Sequence, residues 1–229
     1  MRKYLLASLG VLCLAMTGTA EAALSFRVYD DNNLVSGLST TSNTGLLVAA
    51  GATPNFSVAA NATGTPLVAS PSLLAQTTVV SIGEGVYGTH TIRVEFTQTD
   101  LTSASAGGLL ALLASTFTAN FLVQGQEIEG VTLTNYVDVN NGAFVRGTQI
   151  GTQTYAEGPT GASPTIYANV ALPNALFSET VVITATFTGP SAGLQASSQI
   201  VRVPEPASLA LLGSGLLGLG FVGRSRRKE

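Results

Sequence analysis

The sequence is poor in cysteine, histidine and tryptophan, and these absences exclude several classes of site. Cys13 is the only cysteine among the 229 residues, His90 is the only histidine, and tryptophan is absent. A disulfide framework and a zinc site built from cysteines are therefore excluded, as is any metal site that needs several histidines. A Ser-His-Asp triad would have to use His90.

Charged residues are also scarce, at 10% of the chain, against about 25% in an average soluble domain. The basic residues concentrate at the two ends. The middle of the chain, residues 23–203, therefore has four arginines, no lysine and ten acidic residues, which gives a net charge of 4 − 10 = −6. Phosphate backbones are bound by clusters of lysine and arginine. The composition thus predicts no nucleic-acid partner.

The first 22 residues have the three parts of a secretory signal peptide. Arg2 and Lys3 are followed by an apolar stretch and then by small residues that end in the A-x-A pattern of Ala20 and Ala22. We expect signal peptidase to cut after Ala22, so that the mature chain is exported. The alternative is an uncleaved anchor, but it would need an apolar run of about 20 residues, longer than the one present.

The C-terminus combines a proline-containing motif, an apolar segment and a basic cluster. Pro204, Glu205 and Pro206 precede the apolar residues 207–223. The basic cluster that follows consists of Arg224, Arg226, Arg227 and Lys228. Basic residues after an apolar segment stay in the cytoplasm, so this order predicts a C-terminal membrane helix with the middle of the chain outside. Five glycines among the 17 apolar-segment residues favour a temporary hold over a permanent span.

These three parts, in this order, resemble the PEP-CTERM sorting signal of Gram-negative bacteria. The resemblance implies that an exosortase, a membrane protease, recognises Pro204, Glu205 and Pro206 as the sorting motif. It implies a transient stay in the inner membrane, followed by a final place at the cell surface or in the extracellular matrix, with exopolysaccharide as a partner. An ordinary single-span anchor with a proline-containing linker is the alternative.

The middle of the chain alternates apolar and polar residues as half-buried strands do. Ile92, Val94 and Phe96 share one face of residues 91–97, and polar residues share the other. Further strands are predicted over residues 24–29, 46–50, 56–60, 77–82, 116–123, 131–139, 166–170, 180–188 and 194–203. Many short strands separated by turn residues predict an all-β fold, a single antiparallel β-sandwich or jelly-roll-like domain.

The predicted organisation is a signal peptide over residues 1–22, a β-rich exported domain over 23–203 and a sorting tail over 204–229. Two segments within the exported domain are less regular. Residues 108–114 fit either the one helix of the domain or a buried strand, and residues 35–65 are expected to be rich in loops.

The pattern predicts no catalytic residue, no cofactor, no metal site and no enzyme. His90 has the parity of the apolar residues in its strand, so a structural place at the strand entrance is favoured. Paired carboxylates could in principle hydrolyse glycosides, but the sequence shows no pairing among the candidates. These candidates are Glu84, Glu95, Glu127, Glu129, Glu157 and Glu179.

Asp30, Asp31 and Asp138, each with neighbouring asparagines, offer the oxygen ligands that calcium takes, but such clusters also form ordinary turns. Tyrosine contacts to sugars are conceivable at Tyr87, Tyr155 and Tyr167. The preferred hypothesis is a structural surface or biofilm-matrix protein sorted by its tail. The alternative is a carbohydrate- or calcium-binding adhesion module carried on the same tail.

Overall fold

The computed structural model describes residues 22–156, 161–162, 164–204 and 214. Strands account for most of these residues. The strands are β1 Leu24–Asp30, β2 Asn33–Leu34, β3 Thr40–Ser42, β4 Leu46–Ala52, β5 Phe56–Gly64, β6 Ser72–Ile82, β7 His90–Thr102, β8 Leu110–Val123, β9 Ile128–Asp138, β10 Thr148–Ala156, β11 Gly161–Ala162, β12 Ile166–Ala171, β13 Leu176–Phe187 and β14 Gly193–Arg202. Two single-turn 3-10 helices cover Ser36–Leu38 and Gly125–Glu127.

The strands form two seven-stranded sheets in which every pairing is antiparallel. Sheet A has the order β10-β9-β13-β7-β1-β2, with β3 also paired to β1. Sheet B has the order β11-β8-β14-β6-β5-β4, with β12 also paired to β8. The prediction of an all-β antiparallel sandwich is confirmed.

The core lies between the two sheets and is filled by the apolar residues of the alternating strands. In β5, for example, Phe56, Val58, Ala60 and Ala62 are buried and the residues between them are more exposed. The ring of Phe56 in sheet B packs 5.2 Å from that of Phe187 in sheet A, measured between centroids. Period-two alternation therefore places one face of each strand in the core, because successive side chains point to opposite faces.

A small polar group also joins the two sheets inside this core. Asn135 of sheet A donates a hydrogen bond from Nδ2 to the hydroxyl of Ser115, and its Oδ1 accepts one from the hydroxyl of Ser198. Both serines belong to sheet B, and all three residues are buried. Buried polar groups are tolerated when their hydrogen bonds are made, and both ends of the Asn135 amide have a partner here. The hydrogen bonds also connect the two sheets, so they help to set the position of one sheet against the other.

The structure corrects the sequence reading in three places. Residues 110–114 belong to the long strand β8, so the strand alternative is right and the helix is wrong. Residues 35–65 are less rich in loops than expected, because the predicted strands at 46–50 and 56–60 extend into β4 and β5, which form a hairpin. Strand β10, Thr148–Ala156, was not predicted, because threonine, glutamine and glycine mask its weak apolar pattern.

The central strands of sheet A depart from simple alternation, since their outward faces are buried too. Glu95 and Thr97 of β7, and Thr180 and Val182 of β13, point away from the core and yet are at most 6% exposed. Simple alternation predicts such residues to be solvated. A covering segment, described below, excludes water from them.

The structure does not describe residues 1–21 of the predicted signal peptide, Glu157, or the apolar segment of the tail apart from Ser214. Within the described residues, none of the helices has the length and apolar character needed to cross a bilayer. The predicted membrane helix and the domain boundaries therefore remain predictions.

Candidate functional site

The sorting tail begins where the last strand of the sandwich ends. Strand β14 stops at Arg202, whose amide donates to the carbonyl of Pro71 at 2.8 Å, and the next amide, of Val203, donates to the carbonyl of Leu112 at 2.8 Å. Pro204 follows and is exposed. The backbone is thus hydrogen-bonded to the domain up to Val203, directly before the first residue of the predicted motif.

Residues 202–228 match the family model of the PEP-CTERM protein-sorting motif. The chain carries a PEP-CTERM sorting motif. The match covers the three parts predicted from the sequence, so the resemblance is confirmed. Within the PEP-CTERM tail, the described residues include Pro204. The remaining predicted members, Glu205, Pro206, Arg224, Arg226, Arg227 and Lys228, lie outside them.

The predicted signal cleavage site also lies only partly within the described residues. Ala20 lies outside the described residues, whereas Ala22 is described and is 5% exposed at the edge of the core. Strand β1 starts two residues later, at Leu24. The predicted cut after Ala22 would therefore fall directly in front of the first strand.

None of the curated proteins is similar to this chain. Among solved structures, a PA14 sugar-binding domain from an RTX adhesin shares 11% identity over 49% of this chain and 46% of its own, with a TM-score of 0.27. Carbohydrate-binding modules of the β-sandwich superfamily share 8% over 71% and 58%, with a TM-score of 0.36. The chain thus spans about half the length of these two.

A third structure, the CBM22-1 xylan-binding domain of Xyn10C from Paenibacillus barcinonensis, shares 10% identity over 70% of this chain and 87% of its own, with a TM-score of 0.32. Likeness at these TM-scores carries no argument about what this sandwich binds.

The outer face of sheet A carries an arginine cluster, which consists of Arg27, Arg93, Arg146 and the carboxylate of Glu95. Arg27 Nε lies 2.6 Å from Glu95 Oε2, and Arg146 Nη2 lies 2.6 Å from Glu95 Oε1. Arg93 Nε lies 3.0 Å from the same Oε1. The cluster thus gathers three of the four arginines of the exported domain around one carboxylate that is 1% exposed, and it carries a net charge of +2.

Aromatic rings support two of these guanidinium groups. Arg93 stacks on Tyr29 with its guanidinium carbon 3.9 Å from the ring centroid, and Arg27 stacks on Phe144 at 4.0 Å. A cation over an aromatic face is stabilised by the electrons of the ring. The side chains of Arg27, Arg93 and Arg146 nevertheless remain 29%, 22% and 45% exposed, so solvent reaches all three.

The segment of residues 139–147, here called the covering loop, holds Phe144 and Arg146 over sheet A. Phe144 has a left-handed backbone, with φ of 58°, which is unusual for a bulky residue. Its amide donates to the hydroxyl of Thr97 at 2.9 Å. The hydroxyl of Ser178 donates to the carbonyl of Gly142 at 2.8 Å. These bonds hold the loop against the sheet and account for the buried outward face of β7 and β13.

The predicted calcium ligands at the end of β9 anchor this loop instead. Asp138 accepts hydrogen bonds from the amides of Asn140 and Gly142, and Asn141 exchanges two bonds with Asp100, both of 2.7 Å. Asn141 itself is left-handed, at φ of 61°, a conformation that asparagine tolerates well. These side chains therefore form the hydrogen bonds of a turn, which was the alternative to calcium binding in the sequence analysis.

The other predicted calcium ligands form the β1–β2 turn. Asp31 and Asn32 are both left-handed, at φ of 47° and 65°, which is the pattern of a two-residue type I′ hairpin turn. The carboxylate of Asp30 accepts bonds from the hydroxyl of Thr53 and from the amide and side chain of Asn55. Among the described residues, no group of three or more histidine, cysteine or acidic side chains could hold a metal ion.

His90 lies at the entrance of β7, as predicted, and pairs with the same turn. Its Nδ1 is 2.8 Å from Asp31 Oδ2. This hydrogen bond raises the pKa of His90 above its ordinary value. Burial acts to raise the pKa of Asp31, but the Thr91 amide and His90 outweigh it and lower that pKa. The pair fastens the turn to the sheet.

Two of the carboxylates considered for glycoside hydrolysis lie on opposite faces of sheet A. Glu95 points out of sheet A into the arginine cluster, whereas Glu179 has the parity of Val181 and Ile183 and points into the core. Opposite faces of one sheet cannot present two carboxylates to one substrate. Glu84 and Glu129 are exposed, and Glu127 is half-buried.

The three tyrosines considered as sugar contacts have different surroundings. Tyr87 and Tyr167 are 76% and 62% exposed, whereas Tyr155 is a core residue whose hydroxyl donates to the carbonyl of Phe117 at 2.9 Å. Sequence reasoning did not find the arginine cluster. Two features of the sequence could have indicated the cluster. The exported domain has only four arginines, and Arg27 and Arg93 each lie on the polar face of a predicted strand.

Proposed function

We propose that this chain is the precursor of an exported surface protein with a structural role in the extracellular matrix. Signal peptidase removes residues 1–22, and an exosortase processes the PEP-CTERM tail after the sandwich has crossed the membrane. The observation that carries the proposal is the PEP-CTERM match over residues 202–228. The motif directly follows the last strand, so processing at the tail leaves the sandwich whole.

The position of Pro204 supports access by a membrane protease. Pro204 is exposed and lines a cleft of about 680 Å³ together with Gly107, Leu110 and Arg202. Proline fixes its own φ and disfavours helix in the residue before it, so the start of the motif stays extended. An extended, accessible segment is what a protease binds.

Export predicts a mature N-terminus at Ala23. The A-x-A pattern places the cut after Ala22, and β1 begins at Leu24, so cleavage removes no strand residue. Mass spectrometry of the protein recovered from the cell envelope and the medium is expected to find the N-terminal peptide that starts at Ala23. A mature protein that retains residues 5–17 would contradict export by cleavage.

Exosortase sorting predicts that Glu205→Ala blocks tail processing. The change removes the charged member of the motif, and we expect the unprocessed form to rise from a minor species to most of the protein. Immunoblots of membrane and medium fractions measure this change. The matched control is Glu129→Ala, which removes an exposed glutamate of the sandwich and should be processed normally. Normal processing of the Glu205 variant would favour the single-span anchor instead.

A further inference from the structure

A line of outward side chains crosses sheet A next to the arginine cluster. It is called the cross-strand row and consists of Tyr29, Arg93, Thr184, Thr132 and Thr154, one from each of five neighbouring strands. Tyr29 is opposite Arg93, Arg93 is opposite Thr184, and the threonines continue in register to β10. Each member is exposed or half-buried. At a strand spacing of about 4.8 Å the row is about 19 Å long.

The covering loop closes one side of this row. The adjacent line of outward residues, which includes Glu95, Val182 and Thr134, is buried, and the three arginines surround the Glu95 carboxylate in it. Arg146 reaches from the loop to Glu95 and remains 45% exposed. The row therefore runs as an open strip beside a fixed wall that presents a cation.

The charge of this surface is opposite to that of the rest of the domain. Three guanidinium groups share one carboxylate, so two positive charges remain uncompensated, whereas the exported domain as a whole has a net charge of −6. Each guanidinium has five N–H donors, and Glu95 accepts only a few of them. Arginine donors left in partial contact with solvent bind carboxylate or sulfate groups well.

The rest of the row offers hydroxyl groups. The hydroxyl oxygens of Thr132 and Thr154 are 3.1 Å apart. Each hydroxyl can still donate a hydrogen bond to a ligand or accept one from it. Repeated hydroxyls beside a cation match a polymer that has both hydroxyls and regularly spaced anions. The threonines are fixed by the strand ladder, so binding would order few additional side chains.

We propose that the cross-strand row and the arginine cluster bind an anionic polysaccharide, whose carboxylate or sulfate groups contact the arginines and whose hydroxyls contact the threonines. The choice of a polysaccharide rests on the proposed function, which places the sandwich outside the cell. The site is rigid, because the amides of Phe144 and Gly142 in the covering loop donate to Thr97 and Asp138, and the hydroxyl of Ser178 donates to the carbonyl of Gly142.

The test is calorimetric titration of the full chain in mild detergent with three oligosaccharide probes. These are oligogalacturonate, sulfated dextran and unmodified dextran of similar length. We expect one of the two anionic probes to bind and unmodified dextran not to bind. The anionic probe that binds identifies the recognised group. Binding should weaken between 0.1 and 1 M salt, because the Debye length falls from about 10 to 3 Å.

Two variants and a control locate the site. Arg146→Gln leaves two arginines on Glu95 and is expected to weaken binding about tenfold, as loss of one charge-assisted hydrogen bond does. Thr154→Val leaves the cluster intact and is expected to weaken binding about threefold, as loss of a neutral bond does. The control, Arg202→Gln, removes an arginine from sheet B and should bind as the wild type does.

Absence of binding to both anionic probes, or equal binding of unmodified dextran, would overturn the proposal. So would unchanged affinity in both Arg146→Gln and Thr154→Val. If Arg146→Gln does not fold, Thr154→Val decides, since it touches none of the ion pairs. The titration is independent of tail processing, so a failure here is distinguishable from a failure of the sorting hypothesis, which the Glu205 variant tests.

Discussion

Replacing Glu179 by glutamine is expected to stabilise the protein by about 3 kcal/mol at pH 7 and to remove part of its pH dependence. Glu179 is fully buried, and among the described residues no donor reaches either carboxylate oxygen. Burial raises its pKa from 4.5 to about 8. The folded protein therefore keeps the proton near neutral pH, whereas the unfolded chain releases it.

The direction in which pH changes the stability follows from this difference in bound protons. Below about pH 4.5 both the folded and the unfolded state hold the proton, so ionisation of Glu179 does not lower the free energy of unfolding. As the pH rises toward 8, the unfolded state loses its proton and is favoured by about 1.4 kcal/mol for each pH unit. Stability is thus lost as the pH rises, and glutamine, which does not ionise, abolishes that slope.

Urea unfolding at pH 5, 6, 7 and 8 measures the effect, followed by circular dichroism because the chain has no tryptophan. The difference in unfolding free energy between Glu179→Gln and wild type should grow with pH. Glu129→Gln, at an exposed position, is the control and should leave the curve unchanged. A constant difference between pH 5 and 8 would show that Glu179 is not protonated in the folded state.

The immediate surroundings of Glu179 explain why no counter-charge relieves it. Its neighbours in register are Gln98 on β7 and Val137 on β9. Gln98 donates to the carbonyl of Thr65, but its own Oε1 has no hydrogen-bond partner among the described residues. Gly64 of sheet B packs directly against the Gln98 side chain. Neither neighbour in register is charged, so nothing offsets burial, which favours the neutral form of the carboxyl.

Glu95→Ala is expected to destabilise the protein by about 3 kcal/mol, at the low end of the cost of breaking a buried ion pair. The change leaves three guanidinium groups close together without their shared carboxylate. They are partly solvated, which limits the cost. For a chain of this size the melting temperature should fall by roughly 6–12 °C.

Thermal melts of Glu95→Ala and of the exposed control Glu84→Ala measure this prediction. The repulsion among the arginines should also make the Glu95 variant gain stability from added salt, more than the wild type does. A melting temperature within 2 °C of wild type would mean that the cluster contributes little to folding, since a loss near 3 kcal/mol produces at least about 6 °C.

Glu95 and Glu179 show where prediction from the sequence reached its limit. Glu95 sits in the predicted strand 91–97, and alternation correctly assigns it to the polar face of β7, whereas Glu179 lies one residue before the predicted strand 180–188. Its burial depends on the covering loop, which arrives from residues 139–147. Glu179 shares the parity of Val181 and Ile183, so extending the predicted strand by one residue would have placed it on the inward face.

The sequence by itself determined the features that are read locally. The PEP-CTERM tail is a linear motif, and the strands of the sandwich follow from period-two alternation, because the pleat sends successive side chains to opposite faces. The Asp138 segment is a turn for an equally local reason, since its carboxylate bonds the amides of Asn140 and Gly142 and Asn141 tolerates a left-handed conformation. Asp31 and Asn32 are left-handed as well, whereas the Asp30 carboxylate bonds Thr53 and Asn55 of a distant segment.

Only the tertiary structure decided which strands are neighbours, and therefore which distant side chains meet. Arg27, Glu95 and Arg146 are far apart in the sequence and converge because β1 pairs with β7 and the covering loop folds over both. Alternation assigns a residue to a face but not to a partner strand. Partner choice depends on the joint burial of both sheets' apolar faces, a property of the whole chain that no local pattern contains.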